Sequence, residues 1–270
     1  MKKKLLSIMM SFALVFSMSS GVFAGTIEET VEEESQIEGN FTSGDNGKHS
    51  EGAIDVSGFD IEDGDLSDFI QAIETNNTLT TEEKTEAIKS AKELKSVLAD
   101  IPSSKYLDVW VSTQTETWYC GPATAKQLVT YFNGSADNQA TIAKAMGTTS
   151  AGSDMAQISN YVNNKTSVYY NIYTKPSLST LTSFIKASIT ANMPPILRMK
   201  VTTSYGFPYT IKSTGHFMNA NGYNSTKVRV TDPEIKNRNA ADYPDGMYSV
   251  TWNNVYDATT EHFAKELGAY

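Results

Sequence analysis

The chain has 270 residues, a length that accommodates one large domain or two small ones. With 40% hydrophobic and 20% charged residues it carries enough apolar material for a sizeable core, which excludes wholesale disorder and a coiled coil. The net charge of −9 is concentrated: residues 26–100 hold 20 acids against 5 lysines, whereas residues 101–270 are net basic by 3, with no patch dense enough for a nucleic-acid footprint.

The chain opens as an export signal. Lys2, Lys3 and Lys4 form a positive start, and Leu5 to Met18 is an apolar run too short to span a bilayer comfortably. Val22-Phe23-Ala24 then offers small residues at the −3 and −1 positions, so residues 1–24 are expected to be removed and the mature protein to be secreted or cell-wall associated, with no membrane segment left. Residues 26–51 are acidic, rich in Gly, Ser and Asn and without apolar periodicity, and they read as a disordered linker. Leu66, Phe69, Ile70 and Ile73 recur at helical spacing over 65–75. Thr80 and Glu83 form a capping box that opens a second helix, closed by Pro102. Residues 25–104 are thus an acidic linker and two-helix unit, with too few apolar residues to fold securely alone.

From Tyr106 the texture changes to Tyr, Trp and β-branched residues. Residues 107–112 alternate like a strand, and 121–132 read as a helix with Pro122 in its first turn and Asn133-Gly134 ending it. Helices are expected over 138–146, 154–163 and 178–191. Strands are expected over 167–173, 195–201, 216–223, 228–231 and 247–252. Helices first and a sheet afterwards predict an α+β domain over 105–270, its N-terminal helices packed on an antiparallel sheet.

Chemistry concentrates at four residues. An exported chain seldom keeps a solitary thiol, so Cys120 needs a reason. A thiol nucleophile works as its anion, which a helix N-terminus and a neighbouring imidazolium both favour, and Cys120 is expected to start a helix. Such a site also needs a histidine to move the proton, a carboxylate or amide to orient that histidine, and donors for the tetrahedral oxyanion. His216, Asp232 and Gln114, six residues before Cys120, are the candidates, with the Cys120 backbone N–H as a second oxyanion donor. His216 and Asp232 are expected on neighbouring antiparallel strands. They meet only if the register puts both on one face, and a one-residue slip would separate them. His49 and His262 read as surface residues. One cysteine and three histidines leave little for a disulfide or a metal cluster, and no cofactor is expected.

This set resembles the C39-like cysteine peptidases of the papain-like superfamily over residues 106–257. The resemblance rests on Gln114, on Cys120-Gly121-Pro122-Ala123, and on Asn138-Gln139 opening the next helix. It continues through Pro194-Pro195-Ile196-Leu197, the Gly215-His216 strand ending in Asn221-Gly222-Tyr223, and Asp232-Pro233. Asn219 and Asn221 stand where relatives are more apolar. The resemblance implies peptide-bond hydrolysis through a thioester, with Cys120 as nucleophile, His216 as general base and acid, Asp232 as its orienter and Gln114 at the oxyanion hole. Exported relatives often carry an inhibitory propeptide, a role open to residues 25–104 beside that of a solubilising spacer. A peptide or protein substrate is the expected partner, with no nucleic acid. A cell-wall peptide hydrolase or amidase using the same residues, and a non-catalytic surface-binding module, remain open on the sequence.

Overall fold

The computed structural model describes residues 44–59, 66–209, 213, 215–234 and 243–270. The expected signal peptide and the first part of the linker lie outside the described residues.

Local signals place most of the helices. Helix α1 spans Ser67–Thr75, and α2 (Thr81–Ala99) opens on the Thr80–Glu83 capping box. Then come α3 (Cys120–Asn133), α4 (Gln139–Met146) capped by Asn138, and α5 (Met155–Lys165) opened by a capping box of Asp154 and Gln157. Helix α6 (Leu178–Thr190) is capped by Ser177. Helix α7 (Trp252–Thr260), too polar to stand out in the sequence, is capped by Thr251. The strands are β1 (Ile54–Asp55), β2 (Lys105–Tyr106), β3 (Asn171–Thr174), β4 (Ile196–Met199), β5 (His216–Tyr223), β6 (Lys227–Thr231), β7 (Met247–Thr251) and β8 (Glu266–Ala269). The strand expected over 107–112 is not formed; pairing with β5 stops at Tyr106.

The fold is α+β. Its sheet runs β1-β3-β8-β4-β5-β6-β7, with β2 also on β5. It is mixed rather than wholly antiparallel, because β1 lies parallel to β3. The two faces carry different helices. On one, Leu128, Ile142, Ile158 and Val162 of α3–α5 pack with Ile172, Ile196 and Phe217. The alternate strand positions Leu197, Met218, Val230 and Leu267 face a second core shared by α1, α2, α6 and α7. Phe69 and Ile73 of α1 and Leu94 of α2 are buried there, and Phe69 lies against Tyr173 and Phe184, whose rings stack at 4.1 Å. The two-helix unit is therefore part of the same core as the sheet.

The β5–β6 hairpin settles the register question. Near its turn, Tyr223 pairs with Val228 and Gly222 with Arg229; beyond Asn221, Ala220 pairs with Val230 and Asn219 with Thr231. Asn221 is thus an extra residue in β5, a β-bulge. Carried unbroken from the turn, the pairing would set Asp232 opposite Asn219, on the face away from His216. The bulge shifts it opposite Met218, two residues from His216 and on the same face. The bulge is held from both sides: from outside the hairpin Leu107 N–H donates to the Asn221 carbonyl at 2.7 Å, and from β6 Arg229 Nε donates to Asn221 Oδ1 at 3.1 Å.

Candidate active site

Cys120 is the first residue of α3, a helix that ends on Gly134 in the left-handed conformation. It occupies the first helical position, where the helix dipole favours an anion, and Tyr119 provides no side-chain cap. Helix α3 is tied to β5 by buried polar contacts. Asn219 Nδ2 donates to Gln127 Oε1 (2.8 Å) and to the Thr124 carbonyl (3.3 Å), while Thr124 Oγ1 donates to the Phe217 carbonyl. Asn219 thereby fixes the helix that starts at Cys120 to the strand that starts at His216.

His216 begins β5, fully buried, and Cys120 lies close enough to act on its ring. Its Nε2 lies 2.8 Å from Asp232 Oδ1, and Nδ1 is a buried ring nitrogen with no hydrogen-bond partner among the described residues. Asp232 is saturated with donors: Oδ1 also accepts from the Glu234 N–H at 2.9 Å, and Oδ2 accepts from the hydroxyls of Tyr209 and Tyr248, each at 2.7 Å. Burial alone would strip the charge from both groups. For His216 the adjacent carboxylate outweighs burial, helped by the Cys120 contact, and pushes its pKa up to about 10; for Asp232 the imidazolium and the donors outweigh burial and lower it. The pair is an imidazolium–carboxylate pair at neutral pH.

Gln114 is held beside this group. Its N–H donates to the Pro233 carbonyl, and its Nε2 donates to Glu234 Oε2 at 2.9 Å and to the Thr117 carbonyl at 3.2 Å. Glu234 therefore links the two: its backbone N–H holds Asp232 and its carboxylate holds the Gln114 amide. Gln139 fastens the loop that carries Gln114, accepting from Thr115 N–H and donating to Ser112 Oγ and the Thr113 carbonyl. His216 and Asp232 are thus directly paired, Gln114 joins them through Glu234, and Cys120 lies near enough to act on the ring. Among the described residues no group of His, Cys, Asp or Glu is arranged to hold a metal ion.

Residues 106–260 match the model of the Peptidase_C39 like family. The chain belongs to the C39-like peptidase family. It is a family of cysteine peptidases, and the four residues above all fall within the matched span. Among solved structures it is similar to a protein from Bacillus anthracis described as a C39-like peptidase (11% identity, 63% of this chain and 98% of that one, TM-score 0.46). It is also similar to xylellain, a cysteine protease from Xylella fastidiosa (12% identity, 65% of this chain and 88% of that one, TM-score 0.41). No curated protein matches the chain.

In this C39-like chain the Cys120 thiol is covered. Residues 44–51, expected to be disordered linker, lie along the site. A methyl group on Gly44 would sit 2.8 Å from Cys120 Sγ and 2.7 Å from the Trp118 carbonyl oxygen. The segment pairs with the loop before α5: Ser153 N–H donates to the Gly44 carbonyl (2.7 Å) and Asn46 N–H to the Ser153 carbonyl (2.8 Å). Gly152, at φ +98°, permits this approach; any side chain there would overlap the Gly44 carbonyl. Asp45 turns its carboxylate inward, against Gly215 and onto Arg198, accepting from Nε at 2.7 Å and Nη2 at 2.6 Å. His262 is buried rather than at the surface: its Nε2 lies 2.8 Å from Asp45 Oδ2, at ion-pair distance though not aligned as a hydrogen bond, and its Nδ1 accepts from Ala264 N–H. Burial would raise the Asp45 pKa, but Arg198 and His262 outweigh it and hold it at about 2. His49 is exposed, as expected.

The residues that sequence reasoning missed are Tyr209, Tyr248, Glu234, Asp45 and Arg198. Only Arg198 carried a usable signal. An arginine inside the apolar run Pro194 to Met199 must be buried with a partner, and the acidic leader is where partners are most abundant.

Proposed function

We propose that the protein is an exported thiol peptidase that hydrolyses peptide bonds with Cys120, His216 and Asp232. The observation that carries this reading is the buried His216 ring, fixed to Asp232 through Nε2 at 2.8 Å, with Nδ1 left without a partner among the described residues and Cys120 near enough to act on the ring. His216 holds on Nδ1 the proton given up by the thiol, and the thiolate forms a bond to the substrate carbonyl carbon as the carbonyl π pair moves onto the oxygen. The resulting oxyanion is received by the Cys120 N–H and by the Gln114 Nε2 hydrogen that leaves the Thr117 carbonyl, while Glu234 keeps the amide in place. His216 then passes its proton to the departing amine, leaving a thioester. Water, deprotonated by the same ring, displaces the sulfur and releases the acid. Asp232 stays ionised throughout and fixes the ring, as its four donors favour. Export is supported by the lysines at 2–4, the apolar run and Ala24.

Cys120 is 0% exposed, and Gly44 lies on its sulfur. Catalysis therefore requires residues 44–50 to lift away, and this short segment, rather than the helices built into the core, serves as the inhibitory part of the pro-region. The test is hydrolysis of a mixed peptide library by the full chain, read by mass spectrometry. Cys120→Ala is expected to remove cleavage by orders of magnitude while the fold and thermal stability persist. Cleavage undiminished in Cys120→Ala refutes the mechanism.

A further inference from the structure

Arg198 is 0% exposed, an expensive place for a charge unless it is fully partnered. Its guanidinium is divided. Nη1 donates to Glu266 Oε2 at 2.6 Å, an ion pair made within the sheet between β4 and β8. The other edge, Nε with Nη2, presents a two-pronged fork, and a side chain of the covering segment fills it. The plane of the fork is fixed by the rings of Phe217 and Phe263, 5.4 and 5.2 Å from the guanidinium carbon. The pocket is built into the catalytic fold: Gly215, which touches the Asp45 carboxylate, precedes His216 directly. Its lid is residues 44–50, with Asp45 in the fork, His49 against Phe263 and Ser50 donating to both oxygens of Glu266. When the segment leaves, Glu266 keeps Arg198 in place and the fork is bare, one residue along from the position that lay on the sulfur.

We infer that the open fork of Arg198 is a substrate subsite for a side-chain carboxylate, and that Asp45 occupies it in cis in the covered protein. The inference rests on the peptidase reading for the word substrate, but not for the site. A planar fork with two parallel N–H donors matches a carboxylate in both geometry and charge, and an amide offers only one acceptor in place of two. Acidic peptides are therefore selected, and the chain's own leader competes with them.

The test uses the full chain carrying Cys120→Ala, which cannot turn over, with and without Asp45→Ala. The probes are a fluorescent peptide of residues 42–48 and the same peptide with asparagine in place of Asp45, followed by anisotropy. On the Asp45→Ala protein the acidic peptide is expected to bind about tenfold or more tighter than the amide peptide. With Asp45 retained, its affinity should fall by a similar factor because the fork is filled. Adding Arg198→Gln together with Glu266→Gln, which removes both charges at once, should abolish the preference. Equal affinity of the two peptides for the Asp45→Ala protein, or a preference that survives the paired substitution, overturns the inference. If the paired variant does not fold, the contrast between the two peptides decides alone. If the acidic peptide binds selectively but the wild-type enzyme cleaves nothing, the peptidase reading fails and the site stands.

Discussion

Residues 44–50 and the helices α1 and α2 both precede the catalytic sheet in sequence, yet they are attached to it by opposite means. The helices bury Phe69, Ile73, Ala91 and Leu94 in the core that also holds Phe184 and Leu197. The segment at 44–50 buries no large apolar side chain; its anchors are Asp45 on Arg198, Ser50 on Glu266 and two backbone bonds to Ser153. Apolar attachment is spread over many contacts and is lost only with the fold. Polar attachment sits at a few points that water or a competing carboxylate can replace, so it can be released locally. An acidic leader that looks uniform in composition is therefore two devices, one structural and one detachable.

The largest effect expected on this contrast is at Phe69. Phe69→Ala removes a buried ring from the shared core and should lower the unfolding free energy by about 3–5 kcal/mol in a denaturant titration. The rate at which iodoacetamide alkylates Cys120 in the absence of denaturant should stay unchanged. Faster alkylation in this variant would mean that the helices, too, act as a lid.

Asp45→Ala should do the reverse. Leaving Arg198 with an empty fork favours the open form, so alkylation of Cys120 is expected to rise about tenfold or more. The shift in global stability should be smaller, because the opened fork can be reached by solvent. An alkylation rate equal to wild type would place the cover on the thiol elsewhere than residues 44–50.

Acid and base should separate the clamp from the catalytic pair. Asp45 has a folded pKa of about 2, below its ordinary 3.8, so its stabilisation is complete above 3.8 and is lost as the pH falls towards 2. Labelling of Cys120 with dithiodipyridine, which reacts with thiols in acid, should rise across that window in wild type, and should begin high and change little in Asp45→Ala. His216 has the opposite sign. Its folded pKa of about 10 lies above 6.5, so its contribution is complete below 6.5 and is lost as the pH rises through 10. Thermal stability should fall over that alkaline range, and Asp232→Asn should flatten the fall. A wild-type midpoint that stays level from 6.5 to 10 contradicts the ion pair.

The two regions also differ in how well the sequence reveals them. The caps of α2, α4 and α5 are written within three residues of one another, as in Thr80 with Glu83 and Asp154 with Gln157, and those helices are legible for that reason. Strand β5 is legible as well, since Asn224 and Lys227 mark its turn. The pairing of His216 with Asp232 is not, because it depends on a bulge whose support comes from Leu107, far along the chain. Asp45 is less legible still. It is one acid among many in a stretch without periodicity, and its partner is 153 residues away. Cys120, His216, Asp232 and Gln114 are visible because their types are scarce in this chain or set at a telling spacing. The tyrosines and Glu234 that hold them are ordinary residues, brought in by packing.

The smallest effect provides the finest control. Thr80 caps α2 through Glu83 N–H, and Glu83 returns the bond to Thr80 N–H at 2.7 Å, at an exposed helix end that faces neither the sheet nor the nucleophile. Thr80→Ala should cost about 1 kcal/mol, the usual worth of such a cap. If α2 belongs to the cooperative core, that amount should appear undiminished in the global denaturation midpoint, with Cys120 alkylation again at the wild-type rate. If the helices were a separate pro-domain, the loss would be confined to them: hydrogen exchange in 81–99 would quicken while the protection of β5 stayed the same. Equal loss of protection in α2 and β5 is the outcome the shared core requires, because contacts such as Leu94 with the α6 layer make the helix and the sheet unfold together.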